Sequence, residues 1–122
     1  MNKSILIVDD DEMIGRLLLR LLQKEGFDVK HVTNGRVGLE VFEERTFDLV
    51  ITDIIMPEME GIEFILSLKK KKEDVKIIAM SGGGYLTPQD YLETSMDFGV
   101  IDAFSKPFDN NEIVGKIKNH LL

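Results

Sequence analysis

The sequence predicts an α/β domain built on a doubly wound, five-stranded parallel sheet with helices on both faces. Three observations carry that expectation. Apolar runs fit for buried strands alternate with segments of helical periodicity, most of those runs are near-continuously apolar, and no repeat, linker or low-complexity tract interrupts the alternation. Parallel neighbours need a crossover, and right-handed crossovers place helices on the two faces. The 122 residues fit a single domain, 1–122, able to bury roughly two thirds of the surface its unfolded chain exposes.

Residues 4–8 (SILIV) are the first strand. Met13, Ile14, Leu17, Leu18, Leu21 and Leu22 then recur at spacings of three and four until Gly26 supplies a stop, which defines the first helix. Phe27, Val29 and His31 alternate with Asp28, Lys30 and Val32 in a second strand, and Thr33, Asn34 and Gly35 turn the chain into a helix bearing Val37, Val41 and Phe42. Residues 48–52 form the third strand. After the turn-forming MPEMEG, in which Gly61 and the Met-Pro step are expected to serve turn chemistry with no direct part in the reaction, Ile62, Phe64, Ile65 and Leu68 mark the third helix. The lysines at 69–72 close it as a solvated end, where cations favour the helix dipole. Residues 75–80 are the fourth strand, and SGGGYL breaks regular structure after it. Thr87 as N-cap, Pro88 at the first helical position, Asp90 three residues beyond the cap and Gly99 as a stop predict a fourth helix. Residues 100–105 are a weak fifth strand. Asp109, followed three residues later by Glu112, opens a fifth helix carrying Ile113, Val114, Ile117, Leu121 and Leu122.

Composition narrows the chemistry. The absence of cysteine removes disulfides, thiolate catalysis and Cys-ligated zinc. A net charge of -7 argues against a nucleic-acid partner, because affinity for phosphate backbones comes from clustered Lys and Arg. The first apolar run is too short for a signal peptide and no run reaches spanning length, so a cytoplasmic location is expected.

The stretch ILIVDDDE, residues 5–12, drives a strand into four consecutive acids. Doubly wound sheets bind ligands beyond the carboxyl ends of their strands, where strand order reverses. Asp53 after LVIT, Ser81 after IIAM and Lys106 after DAFS occupy the same place on other strands. A flavodoxin-like (βα)5 order, 2-1-3-4-5, would bring all of them to one crevice with Asp9 and Asp10. Two carboxylates about 4 Å apart repel by roughly 4 kcal/mol at an effective dielectric near 20, so three clustered acids need compensation. Lys106 offsets one charge. A hard divalent cation held by oxygen ligands, Mg²⁺ rather than zinc, would answer the remainder. Asp11 and Glu12 are expected as first-turn acids of the first helix. Neither His31 nor His120 falls near a carboxyl edge in this reading, and neither is given a catalytic role.

ILIVDDDE, ITDIIMPEMEG, IIAMSG and FSKPFD, in that order, resemble the receiver domain of response regulators in two-component and phosphorelay systems, across essentially the whole chain. The resemblance implies that Asp53 accepts a phosphoryl group from a phosphohistidine on a sensor histidine kinase or histidine phosphotransfer protein. It implies that Asp9, Asp10 and Asp53, with the backbone carbonyl of Ile55, hold Mg²⁺, that Ser81 and Lys106 bond the phosphoryl oxygens, and that the Lys106–Pro107 step is cis. A chain of this kind is a phosphoacceptor that assists its own phosphorylation and dephosphorylation and is not otherwise an enzyme. Its output is a downstream protein partner, and the family allows a homodimer through the fourth helix, fifth strand and fifth helix. The alternative is a degenerate receiver that binds partners independently of phosphorylation.

A phosphatase of the haloacid dehalogenase type would place a second Asp two residues after Asp53, where this chain has Ile55. A flavin carrier would place a Ser/Thr-rich loop after the first strand. Departures from the family pattern are Ala103 in place of a switch aromatic and a long span from Ser81 to Lys106. The excess is assigned to GGGYLTPQD, which, with Tyr85, is expected to take over part of the signalling movement. Ile55 and Gly83 cannot orient a hydrolytic water, which predicts slow self-dephosphorylation.

Overall fold

The structure is a computed structural model and describes residues 2–54, 61–82 and 98–122. Its elements run β1 (Ser4–Val8), α1 (Glu12–Lys24), β2 (Asp28–Val32), α2 (Gly35–Glu44), β3 (Leu49–Asp53), α3 (Gly61–Lys71), β4 (Ile77–Ser81), β5 (Asp102–Ser105) and α4 (Asn110–Leu121). All strand pairings are parallel and the order is β2-β1-β3-β4-β5, as expected. The helix expected from Thr87 onward lies outside the described residues, so the helix opened by Asp109 is α4. Among the described residues no helix is long and apolar enough to cross a membrane.

The near-continuous apolar character of β1, β3 and β4 reflects burial on both faces, and their two-residue period divides that burial. Leu6, Val8, Val50, Ile77 and Ala79 face one way and pack with Phe64, Ile65 and Leu68 of α3. Ile5, Ile7, Ile51, Ile78 and Met80 face the other way and pack with Leu18 and Leu22 of α1 and Ile113 and Ile117 of α4. Ala103 is only partly buried, packed against the first of these cores.

Local chemistry fixes the ends. Asp11 is the N-cap of α1 and accepts from the N–H groups of Met13 and Ile14 at 3.0 and 3.2 Å, while Glu12 takes the first-turn place expected for both acids. Gly26, at φ 95°, ends the helix in a conformation that a side chain would strain. Asn34 caps α2 and Asp109 caps α4. The run of lysines is less free than a solvated end: the Lys69 ammonium donates to the carbonyls of Val75 and Glu73, and Lys71 pairs with Glu43.

Strand ends differ from the sequence reading in a consistent way. β3 and β4 begin later and run on through Asp53 and Ser81, because ladder pairing continues through Asp53 opposite Met80 and Ser81 opposite Ser105. Val75 stays buried, but its N–H bonds back to the Lys72 carbonyl and closes the turn after α3. β5 starts at Asp102, whose side chain anchors the amino edge of the sheet.

That anchor gives a pH dependence. The Asp102 carboxylate lies 3.1 Å from His120 Nε2 and 3.6 Å from the Lys116 ammonium, and accepts from the Ala103 N–H at 2.9 Å. Burial works to raise its pKa, but the His120 hydrogen bond, the Ala103 N–H and the Lys116 ammonium outweigh it and hold the group below its ordinary 3.8. A depressed carboxylate stabilises the fold above its unfolded pKa and loses that contribution as pH falls through the folded value. Urea unfolding across an acid pH series should therefore show Asp102→Asn less stable than the native chain at neutral pH, with the difference closing as pH falls below about 4. A constant difference at all pH values would rule this out.

Candidate functional site

The carboxyl ends of β1, β3, β4 and β5 bring together the residues that the sequence places there. Asp9 follows β1 directly, its N–H donating to the Val32 carbonyl at 3.1 Å, and it is fully buried. One of its carboxylate oxygens accepts from the Asp11 N–H at 2.9 Å and the other from the Lys106 ammonium at 2.8 Å. The same ammonium donates to Asp53 Oδ2 at 2.9 Å. Asp10 is exposed at the mouth, and one oxygen from each of Asp9, Asp10 and Asp53 lies within 4.8 Å of the others. Ile55, expected to offer its carbonyl, lies outside the described residues, as do Gly83 and Tyr85.

Lys106 reaches the acids because β5 pairs with β4 up to its end and the Lys106 N–H donates to the Ser81 carbonyl at 2.9 Å. The lysine stem crosses Gly82, where an added Cβ would stand 3.0 Å from Lys106 Cβ, so the small residue leaves its path open. The Lys106–Pro107 peptide is cis. Ser81 is fully buried, and among the described residues its hydroxyl oxygen has no hydrogen-bond partner.

Among the described residues, three carboxylates against one ammonium leave two negative charges, in a pocket whose two inner acids are buried. Burial raises the Asp9 pKa above its ordinary 3.8; bonds from Lys106 and the Asp11 N–H oppose the rise without cancelling it, and the Asp53 charge adds to it. Burial alone would lower the Lys106 pKa, but its bonds to Asp9 and Asp53 and their charges raise it above 10.5. The Asp9 shift is thus led by burial, with the Asp53 charge a minor addition, while the Lys106 shift comes from its two carboxylate partners overcoming burial. An all-oxygen donor set of this charge fits a hard divalent cation and offers nothing to a thiophilic one.

Three features escape the sequence reading. Gly61 is more than a turn residue: its N–H donates to the Ile54 carbonyl at 3.1 Å, and an added Cβ would stand 2.7 Å from the Asp53 carbonyl oxygen and overlap Ile54 Cα. The start of α3 thus rests on the backbone that presents Asp53. Gly82 is the second feature. The third is His31, which lies beside the site, contrary to expectation: its Nε2 is 3.1 Å from the Asp9 carbonyl oxygen, because β2 ends next to β1. His120 pairs with Asp102 at the amino edge and stays away from the site, as expected.

The family model for the response regulator receiver domain matches residues 5–118. The chain is 36% identical to sporulation initiation phosphotransferase F of Bacillus subtilis, over 99% of this chain and 95% of that protein. It is 34% identical to the response regulator receiver protein CpdR of Brucella abortus, over 98% of each. Among solved structures, the response regulator TrrA of Thermotoga maritima, in complex with Mg²⁺ and BeF, superposes with a TM-score of 0.86 at 34% identity, covering 98% of this chain and 99% of that one. With its acids, lysine and serine gathered at the carboxyl edge of a 2-1-3-4-5 sheet, the chain belongs to the response regulator receiver domains, the phosphoacceptor modules of two-component signalling.

Proposed function

We propose that Asp53 is the phosphoacceptor of this chain, that Asp9, Asp10 and Asp53 hold Mg²⁺, and that residues 1–122 act as one receiver domain. The observation that carries the proposal is the Lys106 ammonium bridging Asp9 and Asp53 at 2.8 and 2.9 Å in a cluster that keeps two surplus negative charges. A carboxylate is a competent nucleophile toward phosphorus, and phosphoryl transfer asks the protein chiefly for alignment and charge neutralisation. An Asp53 oxygen forms the new P–O bond while the P–N bond of a phosphohistidine breaks and its electron pair returns to the imidazole. Lys106, already bonded to Asp53, stabilises charge on the transferred group. The Ser81 hydroxyl, buried and without a partner among the described residues, can donate to a phosphoryl oxygen. Bound Mg²⁺ would supply neutralisation of the phosphoryl oxygens as a Lewis acid.

Receiver domains interact with histidine kinases or phosphotransfer proteins, and the donor here is of that kind, with a downstream protein reading the result. Met13 and Leu17, exposed on the turns of α1 that follow Asp10, offer apolar ground beside the acids for that donor. The chain's part in the chemistry is to assist its own phosphorylation and dephosphorylation. The complete set of acids, lysine and serine favours this reading over a phosphorylation-independent module. The homodimer face that the family allows includes the helix outside the described residues.

Intact mass after incubation with acetyl phosphate tests the proposal. A single phosphoryl adduct that forms with Mg²⁺ and not with a chelator is expected. No adduct in either condition, with a flat beryllofluoride titration, would overturn it.

A further inference from the structure

We propose that His31 is a positioning residue for the cation site, its Nε2–H holding the Asp9 carbonyl, and that Gly15 is glycine to make room for the imidazole. The inference rests on the cation reading above. Nε2 lies 3.1 Å from the Asp9 carbonyl oxygen, and a carbonyl only accepts, so the proton must sit on Nε2. The contact completes a clamp on Asp9. Its N–H is held by Val32, its carboxylate by the Asp11 N–H and Lys106, and its carbonyl by His31. That carbonyl belongs to the peptide joining Asp9 to Asp10, so His31 fixes the link between two of the three acids.

Gly15 supplies an independent observation. It is buried inside α1, where glycine is the poorest helix former after proline. A Cβ there would overlap Nε2 and Cε1 of His31. The imidazole therefore occupies the space a side chain at position 15 would fill. A helix defect and a half-buried histidine on β2 become one device, with the helix thinned so that the ring can reach across to the end of β1.

Residues that orient metal ligands from behind commonly matter to affinity by 10–100-fold, and a weak, water-rich Mg²⁺ site should sit at the lower end. Calorimetric Mg²⁺ titration, run well below each variant's melting temperature, should show His31→Phe binding roughly tenfold more weakly than the native chain. His31→Gln should come within about threefold of native, because its amide nitrogen is the same number of bonds from Cα as Nε2 and can make the same donation. Gly15→Ala should resemble His31→Phe. In metal-free protein, nitrogen-edited NMR should find the His31 proton on Nε2. Affinity unchanged in His31→Phe, Gln as weak as Phe, or a proton on Nδ1 alone would each overturn the inference. If the native chain itself fails to bind Mg²⁺, the cation reading falls and takes this inference with it; native binding that His31→Phe leaves intact removes the inference alone.

Discussion

Lys106→Met will destabilise the metal-free protein by about 3–5 kcal/mol, the usual cost of removing one partner from a buried ion pair. The side chains of Lys106, Asp9 and Asp53 are 13%, 0% and 9% exposed, so water does little to replace the lost ammonium. What remains is two buried carboxylates facing each other with Asp10 nearby. The pH dependence identifies the cause. An acid whose folded pKa is raised stabilises the fold below its unfolded value and loses that contribution as pH rises through the folded one. Asp9 is already raised in the native chain and will rise further without Lys106, so the deficit of the variant should be smallest in acid and grow toward neutrality.

Lys106 has its own signature. Its raised pKa gives stability that is present below 10.5 and lost as pH climbs through the folded value, an alkaline limb that the Met variant should lack. Adding Asp9→Asn to Lys106→Met should recover much of the loss, since the buried anion is then gone. Urea unfolding of the two variants over pH reads all of this; a deficit under about 1 kcal/mol at neutral pH would mean that the bridge carries no more than an exposed ion pair.

The alternation of elements was legible because the central strands are buried on both faces and spell it in Ile, Val and Leu. The acids, Asp53, Ser81 and Lys106 were legible because a parallel sheet gathers strand ends, so position along the chain becomes position in space once the order is known. The exact ends of β3 and β4 were not: Asp53 and Ser81 are polar, and polarity reads as the end of a strand although the ladder continues through them. His31 was misread for a related reason. Its alternation with neighbours on β2 says which face it takes, but its proximity to Asp9 depends on β2 lying against β1 and on the missing side chain of Gly15. Gly61 and Gly82 share that difficulty, since a close approach between distant segments leaves only a glycine in the sequence, indistinguishable there from one that serves a turn.

Asp53→Asn will abolish the phosphoryl adduct while leaving the fold intact, and the two readouts together separate lost chemistry from lost structure. The amide keeps the shape of the side chain and can still accept from Lys106, but it is no nucleophile toward phosphorus. Removing the charge relieves repulsion with Asp9 and Asp10 and weakens one attraction to Lys106. The balance should leave metal-free stability about 1 kcal/mol higher, a small remainder of opposing Coulomb energies. Mg²⁺ should then matter less. A ligand at 100 times its Kd stabilises the native state by about 2.7 kcal/mol, and a tenfold loss of affinity cuts that to about 1.4 kcal/mol at the same concentration. The expected variant is therefore one that unfolds later than native without Mg²⁺, gains less from Mg²⁺, and shows no adduct by intact mass. An adduct that persists in Asp53→Asn would place the acceptor on another side chain of the site, and a variant that unfolds more readily in the absence of Mg²⁺ would mean that Asp53 sits where its attraction to Lys106 outweighs the crowding of the acids.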